Sequence, residues 1–248
     1  MGAPSRARGC WSAAKRLRDD APVQRIAADG LIFDLDGVLI DSYDAVTGSI
    51  NAALVEHGLQ ERPPEALRHY IGPPTFTAFA ELTGEGEDSA AVEAIVATYR
   101  RHYAAVYMTA THAIDGVAPV LEALAERLAL AIATSKSVLF TQPLLDELGL
   151  ARYFAVIEAA AANDSGDDKT AIVGRALAAL RARGCRSVAM VGDRSYDLIA
   201  ARAHGLPAIG VTWGIGSAEE LERAGASLLL HAPRELAALF GAEAPELP

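Results

Sequence analysis

The sequence contains no apolar run near the ~20 residues that a membrane-spanning helix requires. Its longest apolar runs, around Leu128–Thr134 and Ser187–Val191, have the length of β-strands. Hydrophobic residues make up 51% of the chain and charged residues 22%, which is the balance of a globular protein. We therefore predict a soluble protein without a membrane partner.

Cysteine is also scarce, since Cys10 and Cys185 are the two in the chain and they form no CxxC pair. This spacing argues against a disulfide framework and against a zinc site, and it favours a reducing compartment. A cytoplasmic location is the expectation.

Positive charge is sparse beyond the N-terminus. The formal net charge is −10, although residues 1–28 are basic, with six Arg or Lys against two Asp. An acidic body lacks the basic stripes of nucleic-acid-binding proteins, so no nucleic-acid partner is expected. A small phosphorylated metabolite remains a suitable partner, because a bound metal reverses the local field. Residues 1–29 lack the apolar core of a secretory signal and are predicted to be a disordered tail.

Short strand patterns alternate with helical patterns from Gly30 onward. This alternation predicts an α/β fold, a Rossmann-like doubly wound parallel sheet with helices on both faces. The expected strands are Leu31–Phe33, Leu128–Ala133, Phe154–Ile157, Ser187–Val191, Pro207–Val211 and Ser227–Leu230. Residues 30–41 and 116–248 would form this core domain.

Residues 42–115 interrupt the alternation. They show no clear strand, and helical segments are expected at Tyr43–His57, Pro64–His69, Thr75–Leu82 and Ser89–Tyr107. A helical block inserted after the first strand predicts an α-helical cap subdomain. Its hinges would lie at Asp41–Tyr43 and Ala113–Gly116.

Acidic pairs follow two of the expected strands, where the loops of an open α/β sheet meet. Asp34 and Asp36 share one face of an extended chain, so one can act as nucleophile and the other as general acid and base. Ordinary turn chemistry is the alternative. Asp193 and Asp197 add carboxylates of the kind that Mg²⁺ prefers. Alternatively, Asp193 only caps the following helix.

Two further candidates are suited to a phosphate group. Thr134 and the main chain after it, beginning with Ser135, follow the second long strand and could hold phosphoryl oxygens. Lys169 opens a helix and could supply positive charge to a transferring phosphoryl group. The alternatives are an N-cap for Thr134 and a solvated side chain for Lys169.

Taken in order, Asp34-x-Asp36-Gly37, Thr134, Lys169 and Gly192-Asp193-x-x-x-Asp197 resemble the four motifs of the haloacid dehalogenase superfamily of phosphohydrolases. The resemblance covers about residues 30–240. The helical block is similar to the cap of phosphoglycolate phosphatase-like members. The runs Tyr70–Pro74 and Val211–Ser217 are similar to loops in those relatives.

The resemblance implies a role for each motif residue. Asp34 would be the nucleophile and a metal ligand, and Asp36 the general acid and base, with its main-chain carbonyl facing the metal. Thr134, Ser135 and Lys169 would bind or neutralise the phosphoryl group. The metal would be Mg²⁺, which relieves the repulsion among Asp34, Asp36, Asp193 and Asp197. The expected activity is hydrolysis of a small phosphomonoester through an aspartyl-phosphate.

Other activities on the same scaffold remain open. A phosphomutase would use the same aspartyl-phosphate, and a non-catalytic binding protein is possible in principle because fold alone does not fix function. A dehalogenase would not need Asp36. A phosphonate-cleaving enzyme would need a cap lysine, and residues 42–115 contain none. The substrate and the choice between monomer and homodimer are not determined at this level.

Overall fold

In this computed structural model of the protein, residues 26–162 and 168–242 are described. Most of the predicted tail, residues 1–25, lies outside this range. Its last residues are packed, because Ile26 and Ala28 contact the hydrophobic core. The Asp29 carboxylate accepts hydrogen bonds from the main-chain N–H groups of Arg186 and Ser187, at 2.9–3.0 Å. The described part of the chain therefore begins against the loop that enters a central strand.

Six parallel strands form the main sheet, in the order β5-β4-β1-β6-β7-β8. The chain moves outward from β1 in one direction and then returns to β1's other side, which confirms the doubly wound fold. The strand bounds are β1 Gly30–Phe33, β4 Ala129–Ser137, β5 Val156–Ala160, β6 Val188–Gly192, β7 Ala208–Val211 and β8 Leu228–Leu230. Phe33 at the end of β1 pairs with Ile132 and with Val191, so Asp34 lies level with the residues that follow these two partners.

Helices cover both faces of the sheet because its buried strands alternate their side chains between two hydrophobic clusters. Leu31 and Phe33 belong to the cluster covered by α5, α6 and α10, whereas Ile32 points to the cluster covered by α7, α8 and α9. The bounds of these helices are α5 Val117–Ala125, α6 Val138–Glu147, α7 Lys169–Ala182, α8 Ser195–Ala203, α9 Ala218–Ala224 and α10 Pro233–Leu239. Helices on both faces of the sheet were expected from the alternating sequence pattern.

The inserted block is helical, as expected, and has its own hydrophobic cluster. Its helices are α1 Tyr43–Glu56, α2 Pro64–Leu67, α3 Thr75–Thr83 and α4 Ala90–Val106, with a 3₁₀ turn at Arg68–Tyr70. The expectation of no strand was wrong, because β3 at His112–Ala113 pairs antiparallel with β2 at Ile40–Asp41. A two-residue strand leaves no periodicity for sequence reading to detect. This pairing ties together the two segments that connect the block to the sheet.

Across the described ranges, none of the helices combines the length and the apolar character that crossing a bilayer requires.

Burial in the sheet gives a first testable prediction. Leu31→Ala, at a fully buried position of β1, should lower the free energy of unfolding by about 2–5 kcal/mol, because the lost apolar contacts leave a cavity. Leu139→Ala is the matched control, since Leu139 is 57% exposed on α6 and should change stability by less than about 0.5 kcal/mol. Urea denaturation followed by circular dichroism measures both. Equal losses in the two variants would contradict the assignment of the core.

Candidate active site

The predicted site residues meet at the carboxyl edge of the sheet. Asp34 follows β1, Thr134 lies in the last part of β4, Asp193 follows β6, and Lys169 begins α7. All four side chains are buried, at 9% exposure or less. The register of β1 with β4 and with β6 brings these residues together although the sequence separates them widely.

Lys169 is the positive centre of the cluster. Its Nζ lies 2.6 Å from Asp34 Oδ1 and 2.8 Å from Asp197 Oδ1. The Asp168 side chain caps α7 by accepting from the Ala171 N–H, so the helix start that carries Lys169 is fixed in place. Lys169 is therefore not a solvated side chain, which was the alternative considered for it.

Asp193 lies against glycine main chain on two sides. Its Oδ2 accepts a 2.7 Å hydrogen bond from the Ile215 N–H. A Cβ at Gly37 or at Gly214 would overlap this carboxylate, and Gly37 also has φ of +83°, a conformation that side-chain-bearing residues rarely adopt. The two glycines therefore let the loops after β1 and β7 approach Asp193 closely. The sequence analysis noted Gly214 only within the run Val211–Ser217 and did not place it in the site.

The acidic cluster fits a divalent metal ion. One carboxylate oxygen from each of Asp34, Asp193 and Asp197 lies within 4.8 Å of the other two. Asp193 Oδ1 is buried and has no hydrogen-bond partner among the described residues, a costly state for a carboxylate oxygen. Hard divalent cations take oxygen ligands of this kind. These three aspartates are the residues that would hold the metal.

The pKa shifts of the clustered residues also indicate a site for a cation. Burial raises the pKa of Asp34 to about 7, against the opposing charge of Lys169. Burial, and then the charges of Asp197 and Asp34, raise the pKa of Asp193 well above its usual range. Burial alone would lower the pKa of Lys169, but Asp197 and Asp34 more than offset it and raise that pKa. One ammonium group, which contacts Asp34 and Asp197, is thus the positive charge beside three buried carboxylates. A bound cation would relieve the remaining repulsion among them.

Asp36 occupies a different position, with its carboxylate held outside that cluster. Lys136 Nζ donates to Asp36 Oδ1 at 2.8 Å and to Oδ2 at 3.1 Å, and the Ser42 hydroxyl also donates to Oδ1. The metal contact expected of Asp36 is through its main-chain carbonyl, and that stays a prediction. Lys136 and Ser42 were not among the predicted site residues.

Lys136 could have been found from the sequence by its place two residues after Thr134. The chain has three lysines, and two of them, Lys136 and Lys169, are buried at this site. Burial works against the charge of Lys136, but Asp36 and then Tyr103 raise its pKa. Ser42 gave no such signal, since a serine at a hinge is ordinary.

The alternative roles considered for Thr134 and Asp193 do not apply. The N-cap of α6 is Ser137, whose side chain accepts from Leu139 N–H, so Thr134 is not needed there. Thr134 Oγ1 instead accepts from the Lys136 N–H at 3.1 Å. The first turn of α8 is closed by Asp197, which accepts from the Arg194 N–H. Asp193 is therefore not engaged as the cap of that helix.

The helical block lies over this edge and is joined to it by two arginines. Arg68 donates to the carbonyls of Gly214, at 2.7 Å, and Ile215. Arg194, next to Asp193 in the sheet domain, donates to the carbonyls of His69 and Ile71 in the helical block. A cavity of about 70 Å³ lies between the block and the sheet edge, with Asp34, Asp36 and Thr134 among its walls.

Comparison with known proteins identifies the family. The sequence pattern of the haloacid dehalogenase-like hydrolases matches residues 31–211. The chain belongs to this family. Its structure superimposes on that of a predicted phosphatase from Clostridium acetobutylicum with a TM-score of 0.79 at 31% identity, over 86% of this chain and 98% of the other.

Curated relatives of this hydrolase carry several names. It is 36% identical to tyrosine-protein kinase PtkA of Mycobacterium tuberculosis, over 82% of this chain and 68% of that protein. It is 32% identical to a 5′-nucleotidase of Pseudomonas aeruginosa, over 77% and 86% of the two chains. It is also 32% identical to a phosphoglycolate phosphatase of Agrobacterium fabrum, over 74% and 80%. The predicted resemblance and the predicted class of enzyme, a phosphatase of this family, are confirmed.

The close approach of Gly214 to Asp193 can be tested. Gly214→Ala should displace the Asp193 carboxylate and raise the divalent-metal concentration for half-maximal activity by about 10- to 100-fold, as for lost support around metal ligands. The measurement is a metal titration of phosphatase activity. Gly48→Ala is the control, because a Cβ there meets nothing within 4 Å. An unchanged titration in Gly214→Ala, with the fold intact, would show that Asp193 does not hold the metal.

Proposed function

We propose that this hydrolase is a Mg²⁺-dependent phosphomonoesterase that acts on a small phosphorylated metabolite through an aspartyl-phosphate intermediate. The main support is the buried Asp34 carboxylate, 2.6 Å from Lys169 and beside the unpaired oxygen of Asp193. A nucleophile placed between a fixed ammonium and a metal site can approach an anionic phosphoryl group without prohibitive repulsion. The acidic protein surface would otherwise oppose such an encounter.

In the first step, Asp34 attacks phosphorus and the bond from phosphorus to the leaving oxygen breaks. Asp36 gives its proton to that oxygen, so an alcohol departs and the phosphoryl group is left on Asp34. Thr134, the Ser135 main chain and Lys169 hold the non-bridging oxygens. Bound Mg²⁺, held by Asp34, Asp193, Asp197 and the Asp36 carbonyl, would neutralise charge on the transferring group.

In the second step, a water molecule attacks the phosphorus of the aspartyl-phosphate. Asp36 takes a proton from that water, phosphate leaves, and Asp34 returns to its starting state. The Lys136 ammonium and the Ser42 hydroxyl hold the Asp36 carboxylate beside the cavity, which keeps it oriented for both proton transfers. This account needs no oxidant, reductant or organic cofactor.

Residues 42–115 would act as a cap over the core domain formed by residues 30–41 and 116–248. Closure would separate the site from bulk water and would bring cap residues to the substrate. A cytoplasmic enzyme, monomeric or homodimeric and without nucleic-acid or membrane partners, fits the chain's low cysteine content and its acidic charge. The similarity to a tyrosine-protein kinase makes phosphoryl transfer to an acceptor other than water the second candidate, together with the phosphomutase reading.

The central experiment measures hydrolysis of p-nitrophenyl phosphate with Mg²⁺ and with EDTA. Activity should require the metal and should fall by about 10³-fold or more in Asp34→Asn, because the nucleophile is lost. Asp36→Asn should lose about 10²- to 10⁴-fold through loss of the general acid and base. Asp44→Asn, at an exposed acid of α1, is the control and should retain full activity.

Two results would count against the proposal. Phosphate release that persists in EDTA would remove the metal from the mechanism, and activity in Asp34→Asn would remove the covalent intermediate. A folded, Mg²⁺-loaded protein that releases no phosphate, yet passes a labelled phosphoryl group from ATP to a tyrosine or from one sugar phosphate to another, would favour the second candidate.

Cap closure predicts a role for Arg68, which spans from the cap to the Gly214 and Ile215 carbonyls. Arg68→Ala should lower kcat/KM about 10-fold, since two hydrogen bonds of about 0.5–1.5 kcal/mol each support the closed arrangement. Arg101→Ala is the control, because Arg101 pairs with Glu56 within the cap. Small-angle scattering with and without a substrate analogue should show compaction in the wild type. An unchanged profile would contradict a moving cap.

A further inference from the structure

The cavity over the active site has two chemically distinct ends. At the sheet edge its walls are polar, with Asp34, Asp36, Thr134 and Lys136 among them. Toward the helical block the walls are mainly apolar and aromatic. A phosphomonoester bound with its phosphoryl group at Asp34 would therefore direct its leaving group into the second end.

The aromatic content of that end is well above the chain's average. The sequence contains 6 Phe, 2 Trp and 7 Tyr, and a third of these residues line this cavity: Tyr70, Phe79, Tyr99, Tyr103 and Phe140. They pack as a connected group. Phe79 and Tyr99 have ring centroids 5.4 Å apart, Tyr99 stacks on Tyr103 at 5.7 Å, and Phe140 meets Tyr103 edge-on at 5.0 Å. Phe79 and Tyr103 are buried by their neighbours, whereas Tyr70, Tyr99 and Phe140 are partly exposed and offer ring surface to a further planar ring.

The same walls offer a small anionic leaving group two cations, and both of these have other contacts. Lys136 is already paired with both carboxylate oxygens of Asp36 and lies over the Tyr103 ring, 5.0 Å from its centroid. Among the described residues that line the cavity, the helical block contributes Arg100 as its cation, and Arg100 lies over the ring of Phe76 at 5.8 Å. The cavity is thus better matched to a ring than to a carboxylate.

We propose that the enzyme's substrates are phosphate monoesters whose leaving group carries a planar aromatic ring close to the ester oxygen, as in aryl and arylmethyl phosphates. The ring packs against the aromatic walls while the phosphoryl group lies at Asp34. This inference rests on the proposed phosphatase function and specifies its substrate class. Hydrolysis releases the aromatic alcohol and inorganic phosphate by the two steps given above.

A matched pair of esters tests the substrate class. Benzyl phosphate and phosphoglycolate both release a primary alcohol through a CH₂–O–P link, and they differ in carrying a phenyl ring or a carboxylate. We expect kcat/KM to be about 10-fold or more higher for benzyl phosphate. Equal or faster turnover of phosphoglycolate would overturn the proposal. Release of phosphate from either ester reports on the phosphatase function, whereas the ratio of the two kcat/KM values reports on the substrate class.

A matched pair of variants tests the aromatic wall. Tyr99 and Tyr107 lie on the same face of the α4 region and each stacks on Tyr103 at 5.7 Å, but only Tyr99 of the two lines the cavity. Tyr99→Leu should lower kcat/KM for benzyl phosphate by about 3- to 10-fold and leave phosphoglycolate within about twofold. Tyr107→Leu should leave the ratio of the two substrates unchanged. Equal ratios in both variants would remove the aromatic wall from recognition.

A binding measurement keeps the two proposals separable. By calorimetry, benzylphosphonate should bind more tightly than phosphonoacetate, and Tyr99→Leu should reduce that preference. Tighter binding of phosphonoacetate would overturn the substrate class even in a protein that hydrolyses p-nitrophenyl phosphate. Conversely, a preference for benzylphosphonate without any hydrolysis would support the aromatic pocket and contradict the phosphatase function.

Discussion

The arrangement of the site depends on the repulsion among buried carboxylates that a single lysine only partly balances. Asp34, Asp193 and Asp197 lie within one ion's reach of each other, and Lys169 contacts two of them. Burying such charges costs several kcal/mol per ion unless they are paired. The rise in the pKa of Asp34 to about 7 expresses that cost. The protein keeps this arrangement because the surrounding sheet is well packed, and a site of this kind is suited to bind a cation and an anionic phosphoryl group together.

The sheet makes this concentration of charge possible. Parallel strands buried on both faces need few polar residues of their own, so the polar residues collect at the strand ends. The even register of β1 with β4 and β6 sets the loop positions, and the glycines at 37 and 214 let those loops close around Asp193. The stability of the core thus holds the site in a conformation that would be unfavourable in a looser structure.

In the proposed function, the helical block meets the second requirement, which is selection of the leaving group. It is linked to the core by the short β2–β3 pairing and by arginine contacts at Arg68 and Arg194. Because Arg194 directly follows Asp193, the loop that would hold the metal also contacts the cap. A movement of the helical block would therefore also move the loop that carries Asp193. Closure over a substrate is in this way coupled to the position of a metal ligand.

By itself, the sequence determined the doubly wound fold, the helical insertion and the family, because strand-and-helix alternation and the four motifs are local patterns. It also located Asp34, Asp36, Thr134, Lys169, Asp193 and Asp197 as site candidates. Only the tertiary structure decided that Lys136 pairs with Asp36, that Gly214 lies against Asp193 and that rings from α3, α4 and α6 share one cavity. These contacts join residues up to 100 positions apart, and the geometry of such contacts is set by packing and strand register, which no local pattern encodes.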